Sequence, residues 1–426
     1  MATIKKTKNR RIGVIATRLA GTDGVSLETD KWIEVLERTG HTCFYLTGDC
    51  NKPAEKSMIV DEAHFKHPEI AEIYRAAFSE YKRRPEITKK INRLKDFLKE
   101  KLYQFTRQFK IELLLVENAL AIPMNIPLGL ALTEFIAETN FRTIAHDHDL
   151  YWERKRFLVN CIWDYLDMAF PPRLPSIRHV VINTSAANQL SLRTGASTTI
   201  IPNVLDFDKR PALPDAYTSD LRQALSLTPG ELFFLQPTRV VQRKGIEHAI
   251  EFTRRINRSA SLIISHSTSD EGDGYLKHLQ EYAGLLSVNV IYGHDIISSQ
   301  RGMTGDHRKV YSLGDVYLHA DLVTYPSTIE GFGNAFLEAI YYGRPILVNN
   351  YSIFSTDIKP KGFRVIEFDG YITDTTIEIA RRVLDNPTLR EEMAEHNYRL
   401  GKRHYSFSML ERRLETVLAE RFGEEI

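Results

Sequence analysis

Residues Ile111–Glu117 (IELLLVE) read as an apolar strand without the polar alternation that a solvent-facing side would impose. Such a run suits a parallel strand covered on both faces. Short apolar runs of this kind alternate with amphipathic stretches. Arg11–Ala16, Thr42–Leu46, Thr143–His146, His179–Ile182 and Thr198–Ile201 read as strands. Ser26–Arg38 reads as a helix, with Leu27, Trp32, Ile33, Val35 and Leu36 as its apolar positions. The alternation predicts a doubly wound α/β sheet.

After Asn203 the segment VLDFDKRPALPDAYTSD, rich in Pro and Asp, reads as a linker, and the pattern then restarts. Leu232–Gln236, Leu262–Ser265, Val288–Tyr292, Leu322–Tyr325, Ile346–Asn349 and Val365–Phe368 read as strands, and Ile246–Asn257 as a helix. From Thr376 to Arg421 the chain reads as helical, broken near Asn386–Pro387 and around His404–Ser406. The length, 426 residues, suits two or three domains. The expected division is 1–205, 206–404 and a closing helix 405–426. A ligand is expected between the two domains, at the carboxyl ends of the strands.

One segment breaks the pattern. Residues 51–110 read as helical and basic, with Ile87, Ile91, Leu94, Leu98 and Leu102 on one helical face. That face suits either a helix packed on the sheet or one docking on an anionic surface or acceptor. For the chain as a whole, 56 basic residues against 55 acidic leave a net charge of +1. No overall field would hold it on nucleic acid or an acidic membrane. Three cysteines are too few for a disulfide framework and lack zinc spacing. The basic opening MATIKKTKNRR runs into RIGVIA, too short for a signal core, and no run reaches the roughly 18 apolar residues of a membrane helix. A soluble, cytoplasmic protein, at most peripheral on a membrane, is expected.

The most informative string is PSTIEGFGNAFLEAIYYGRPILV, residues 326–348. A strand leads into a Gly-rich turn, and the turn into a helix. Glu330 lies in the turn and Glu338 on the helix. Gly331 and Gly333 let backbone amides approach a ligand, and the helix start adds positive potential. Carboxylates on either side of such amides suit a polyhydroxylated substrate, because they accept hydrogen bonds from sugar hydroxyls. Arg239 and Lys244 follow an earlier strand and precede a helix at Gly245, a layout that neutralises a diphosphate. There is no GxxxxGK[ST] loop, and the loop TRLAGTDGVS lacks GxGxxG directly after its strand.

The 326–348 string resembles the Glu, seven residues, Glu signature of the retaining glycosyltransferases of family 4, which have the two-domain GT-B fold. LFFLQPTRVVQRKGIEHAIEF, DVYLHADLVTYPS, IIPNVLDFD and RIGVIATRLAGTDGVSLET resemble further family segments in the same order. The resemblance covers nearly the whole chain outside 51–110. It implies that two Rossmann-like domains face a central cleft, the N-terminal one binding the acceptor and the C-terminal one the nucleotide sugar. It implies that Arg239 and Lys244 neutralise the departing diphosphate and that Glu338 holds the ribose. Glu330, with the amides of Gly331, Phe332, Gly333 and Asn334, would hold the sugar. Gly21 and Gly24 would lie near the donor phosphates, and His294, in YGHDI, near the nucleobase. HDHD, residues 146–149, offers His146 or His148 as the histidine at the donor sugar, with His146 the first match. Asp147, His148 and Arg154 would face the acceptor. DxD appears formally at Asp147–Asp149 and Asp206–Asp208, but the resemblance implies catalysis without a metal and no cofactor beyond the donor, a UDP-, GDP- or ADP-hexose. The implied activity moves a hexose to a hydroxyl acceptor with retention. A non-catalytic sugar-nucleotide binder, or an epimerase of the same fold, shares many of these residues.

Overall fold

The computed structural model describes residues 8–21, 23–267 and 274–423, so the opening residues 1–7 lie outside it. The chain forms two compact units. One runs to Val204 and resumes at Phe407; the other spans Leu205–Ser406. The expected boundaries, 205/206 and 404/405, fall within two residues of these.

The first unit is built on β1 (Arg11–Ile15), β2 (Thr42–Thr47), β3 (Ser57–Ile59), β4 (Leu113–Glu117), β5 (Thr143–Asp147), β6 (Ile177–Val181) and β7 (Thr198–Ile200). All pair in parallel, in the order β3-β2-β1-β4-β5-β6-β7. The strand order reverses beside β1, the kind of place where open α/β sheets bind ligands. β4 starts two residues later than expected, because the Ile111 N–H is taken by Thr106 O at the end of the preceding helix. The helix Phe407–Phe422 belongs to this unit, as expected. Its Phe407, Leu410, Leu414, Val417 and Leu418 share a core with Val14, Trp32 and Leu36.

Segment 51–110 is less uniformly helical than expected. Ser57–Ile59 is an edge strand beside β2, short enough to leave little unpaired edge. The helix Pro85–Gln108 packs by its apolar stripe: Ile87, Ile91 and Leu94 in one core cluster, Leu98 and Leu102 in another. Many of its cations are neutralised within the unit. Lys90 bonds Glu72 at 2.6 Å, Lys95 bonds Glu134 at 2.7 Å, and Lys99 bonds Glu134 at 2.9 Å and Glu138 at 2.7 Å. This is the packed helix of the two readings.

The second unit carries β8 (Leu232–Gln236), β9 (Ala260–Ile264), β10 (Asn289–Tyr292), β11 (Ile297–Ser298), β12 (Gly302–Met303), β13 (Lys309–Ser312), β14 (Leu322–Tyr325), β15 (Ile346–Asn349) and β16 (Ile366–Phe368). The main sheet is again parallel, in the order β10-β9-β8-β14-β15-β16, with its reversal beside β8. β11, β13 and β12 form a small extra sheet that the periodicity did not show. The linker is anchored to this unit: Phe207 is fully buried, edge-on to Tyr341 and Tyr398. The helices Asp374–Asp385 and Pro387–Tyr405 break where expected, with Asn386 capping the second through Leu389 N at 3.0 Å.

Candidate active site

In the second unit the turns after β8 and β14 are joined. Thr328 N donates to Arg243 O at 2.9 Å. Gly245 has φ +58, and a Cβ there would sit 2.6 Å from Pro326 O, so glycine lets the two turns meet. The contact brings Glu330 between two cations. Arg243 Nη1 donates to Glu330 Oε2 at 3.1 Å and to Ile329 O at 3.2 Å, while Lys244 Nζ donates to Glu330 Oε1. Lys244 and Glu330 are almost wholly buried, their side chains 11% and 10% exposed. Burial alone would raise the Glu330 carboxyl, but Lys244 and Arg243 outweigh it and hold it below its usual value. Lys244 is pushed down by burial, which Glu330 opposes and Arg243 and Arg239 reinforce. Arg239, expected beside Lys244, is exposed at the end of β8.

Three residues outside the expected set contribute here. Arg243 holds the Glu330 turn. His266, following β9, has its imidazole pushed below its usual value by burial and by the Arg239 and Lys244 charges, so it belongs to the same electropositive surroundings. Tyr317 donates to Glu338 Oε2 at 2.7 Å. Glu338 lies beside a cavity of about 210 Å³ lined also by Asp206, Gly314 and Tyr342. The Gly-rich turn is held from behind: Tyr351 donates to Phe332 O at 2.8 Å, and Gly333 has φ +134. Gly331 is exposed, Phe332 and Gly333 are buried, and Asn334 opens the helix. His294 is 45% exposed after β10, 3.3 Å from Asp295.

In the first unit, β4 and β5 are in register with Glu117 opposite His146. Opposed residues leave the same face of the sheet, and His148, two positions on, returns to that face. Glu117 Oε2 lies 3.0 Å from His146 Nδ1 and 3.3 Å from His148 Nε2. His146 is fully buried, whereas His148, just past the strand, is 7% exposed. The His146 ring stacks on Trp32 at 4.0 Å and lies 4.2 Å from the His148 ring. Both histidines are buried, His146 completely and His148 slightly less so. Glu117 was not singled out in the sequence; an acidic residue ending an apolar strand was the available signal.

The remaining expected residues are dispersed. Asp147 points to the other face, buried, with Oδ2 2.9 Å from His179 Nδ1. Arg154 bonds Asp149 at 2.6 Å. Gly21, with φ +94, and Gly24 are exposed. Asp23 already caps the helix Gly24–Arg38, accepting from Val25 N and Ser26 N at 3.2 and 3.1 Å. A ligand phosphate there would meet that carboxylate. No helix among the described residues is long and apolar enough to cross a membrane.

Residues 304–400 match the family described as glycosyl transferases group 1. The chain is 32% identical to the mannosylglucosylglycerate synthase of Thermotoga maritima, over 94% of this chain and 98% of that one. Among solved structures it is similar to a glycosyltransferase from Rickettsia africae, with TM-score 0.68 and 12% identity over 98% of this chain and 100% of that one. Anabaena HepE, solved in complex with UDP-glucose, gives TM-score 0.63 and 12% identity over 97% of this chain and 100% of that one.

Proposed function

The chain belongs to family 4 of the glycosyltransferases, the group 1 glycosyl transferases of GT-B fold, and on that premise we propose that it moves a mannosyl group from a nucleoside diphosphate mannose to a hydroxyl of glucosylglycerate, with the anomeric configuration retained. The full-length likeness to the T. maritima synthase supports the choice of sugar and acceptor. The observation that carries the chemistry is the Glu330 carboxylate held between Arg243 and Lys244 where β8 and β14 end.

The barrier is departure of the diphosphate with build-up of positive charge on the sugar ring. Lys244 and Arg239 supply positive charge to the leaving group, and burial strengthens the contribution of Lys244. In the free chain Lys244 is neutralised by Glu330. A donor diphosphate competes for Lys244 and frees the Glu330 carboxylate to accept hydrogen bonds from sugar hydroxyls. Glu338, oriented by Tyr317, holds the ribose. In the N-terminal unit His148, rather than His146, meets the substrate. Because Arg239 and Lys244 occupy the role of a divalent ion, turnover needs no metal.

The test offers GDP-, UDP- and ADP-hexoses with glucosylglycerate, with and without EDTA. Nucleoside diphosphate release, a hexose-sized mass gain and proton NMR of the new anomeric centre are read together. Release with one donor, unchanged by EDTA and with retained configuration, is expected. Tight nucleotide binding without turnover on any donor would overturn the enzyme reading in favour of a sugar-nucleotide binder.

A further inference from the structure

Two buried polar atoms at the carboxyl ends of β4 and β5 have no hydrogen-bond partner: Glu117 Oε1 and His146 Nε2. Buried polar atoms without partners call for an account, and Trp32 Nε1, on the ring that stacks on His146, is another at the same place. Their neighbours are arranged for one. Glu117 Oε2 receives both imidazoles, from His146 Nδ1 at 3.0 Å and His148 Nε2 at 3.3 Å. Trp32 stacks on His146, and the His148 ring packs tilted against His146 with centroids 4.2 Å apart, so the three rings hold one another in place. His148 N–H is held as well, by Asn118 Oδ1 at 3.1 Å. With Nε2 committed to the carboxylate, Nδ1 is the His148 nitrogen left for a ligand.

We infer that Glu117 is a positioning residue, whose carboxylate fixes the ring angle, tautomer and charge of His148 while His146 braces the same oxygen from behind. This rests on the reading that His148 meets the substrate. The electrostatics agree with the geometry. Burial would raise the Glu117 carboxyl, yet the two imidazoles hold it down at about 2, so it is an anion throughout the working range. Burial opposes a charge on His148, yet Glu117 outweighs it and raises the imidazole, with smaller help from Glu28 on the helix Gly24–Arg38 and from Asp149. Glu117→Gln keeps the shape and an acceptor oxygen but removes the charge.

The first arm reads the histidines directly by NMR in the ¹⁵N-labelled full chain, and needs no donor. In Glu117→Gln the His148 titration is expected at least about one pH unit lower than in the native chain, on the scale of one lost ion pair. The second arm is kinetic. Glu117→Gln is expected to lower kcat on the order of 10- to 100-fold, with donor KM within about threefold, because orientation rather than donor binding is lost. Adding Glu117→Gln to His148→Gln is expected to cost nothing further, which a merely structural residue would not show. Glu117→Asp, which keeps the charge, serves if the Gln variant does not fold, and is expected to keep the native His148 titration. An unmoved titration in Glu117→Gln, or full additivity in the double variant, overturns the inference. The three side chains' donor atoms lie within 4.8 Å of one another, close enough to share an ion. Stoichiometric zinc or manganese by elemental analysis, lost in Glu117→Gln, would also overturn it. Absent turnover with the native NMR difference intact would instead fail the transferase reading and leave this one standing.

Discussion

Lys244 is buried against the Glu330 carboxylate, which in the proposed mechanism it exchanges for a diphosphate. Removing it therefore strips charge from the leaving group without breaking a strand or core. Lys244→Ala is expected to lower kcat/KM about 100-fold, roughly 3 kcal/mol of transition-state stabilisation, in steady-state assays with the cognate donor. Glu330→Ala is expected to abolish transfer while calorimetry still detects nucleoside diphosphate binding; equal loss of both would remove Glu330 from sugar recognition. Glu117 gives a pH prediction. Its folded carboxyl lies at about 2 against an ordinary 4.5, so its contribution to stability is present above pH 4.5 and is lost as pH falls toward 2. His148 is raised from 6.5, so its contribution is full below pH 6.5 and is lost as pH rises through its folded value. The gap in melting temperature between the native chain and Glu117→Gln is expected to be widest between these limits, narrowing on either side in a pH series.

At the scale of elements, the helix Pro85–Gln108 shows how a strongly basic segment becomes part of a fold. Its apolar stripe holds it, and partner carboxylates on neighbouring helices take up many of its charges. Leu94, 2% exposed, is expected to cost about 2–5 kcal/mol as Leu94→Ala in denaturant unfolding. Exposed Lys89→Gln is expected to stay within about 0.5 kcal/mol in the same measurement. The turns after β8 and β14 show the converse case, where a single glycine decides whether two elements touch. At Gly245 any side chain meets positive φ and the Pro326 carbonyl together.

For the whole molecule, the consequence of chain order is that the N-terminal unit is completed only by residues from 407 onward. Phe407, Leu410, Leu414, Val417 and Leu418 are all nearly inaccessible. At about 2–5 kcal/mol per large buried side chain, their loss rivals the roughly 5–15 kcal/mol that holds a whole domain. A chain ending at Ser406 is expected to lose the N-terminal unit's cooperative unfolding transition in calorimetry. The continuous unit 205–406, expressed alone, is expected to fold and to retain nucleoside diphosphate binding.

Much of this was legible in the sequence. Unbroken apolar runs marked parallel strands, the string around Glu330 and Glu338 marked a strand, Gly-rich turn and helix, and Asn386–Pro387 marked a helix break, because each signal lies within a few consecutive residues. Other features were decided by tertiary structure. Period-two alternation shows that His146 and His148 share a face, but not that Glu117 lies opposite; that depends on the register of β4 on β5, set by packing along whole strands. The difference in burial between His146 and His148 follows from where β5 ends and from Trp32 covering the first ring. The ion pair of Lys244 with Glu330 joins residues 86 positions apart, and only the meeting of two turns at Gly245 makes it. The sequence by itself determined the layers, the repeated α/β pattern and the kind of chemistry. The fold decided which of several plausible side chains face one another, because burial and register are properties of neighbours in space.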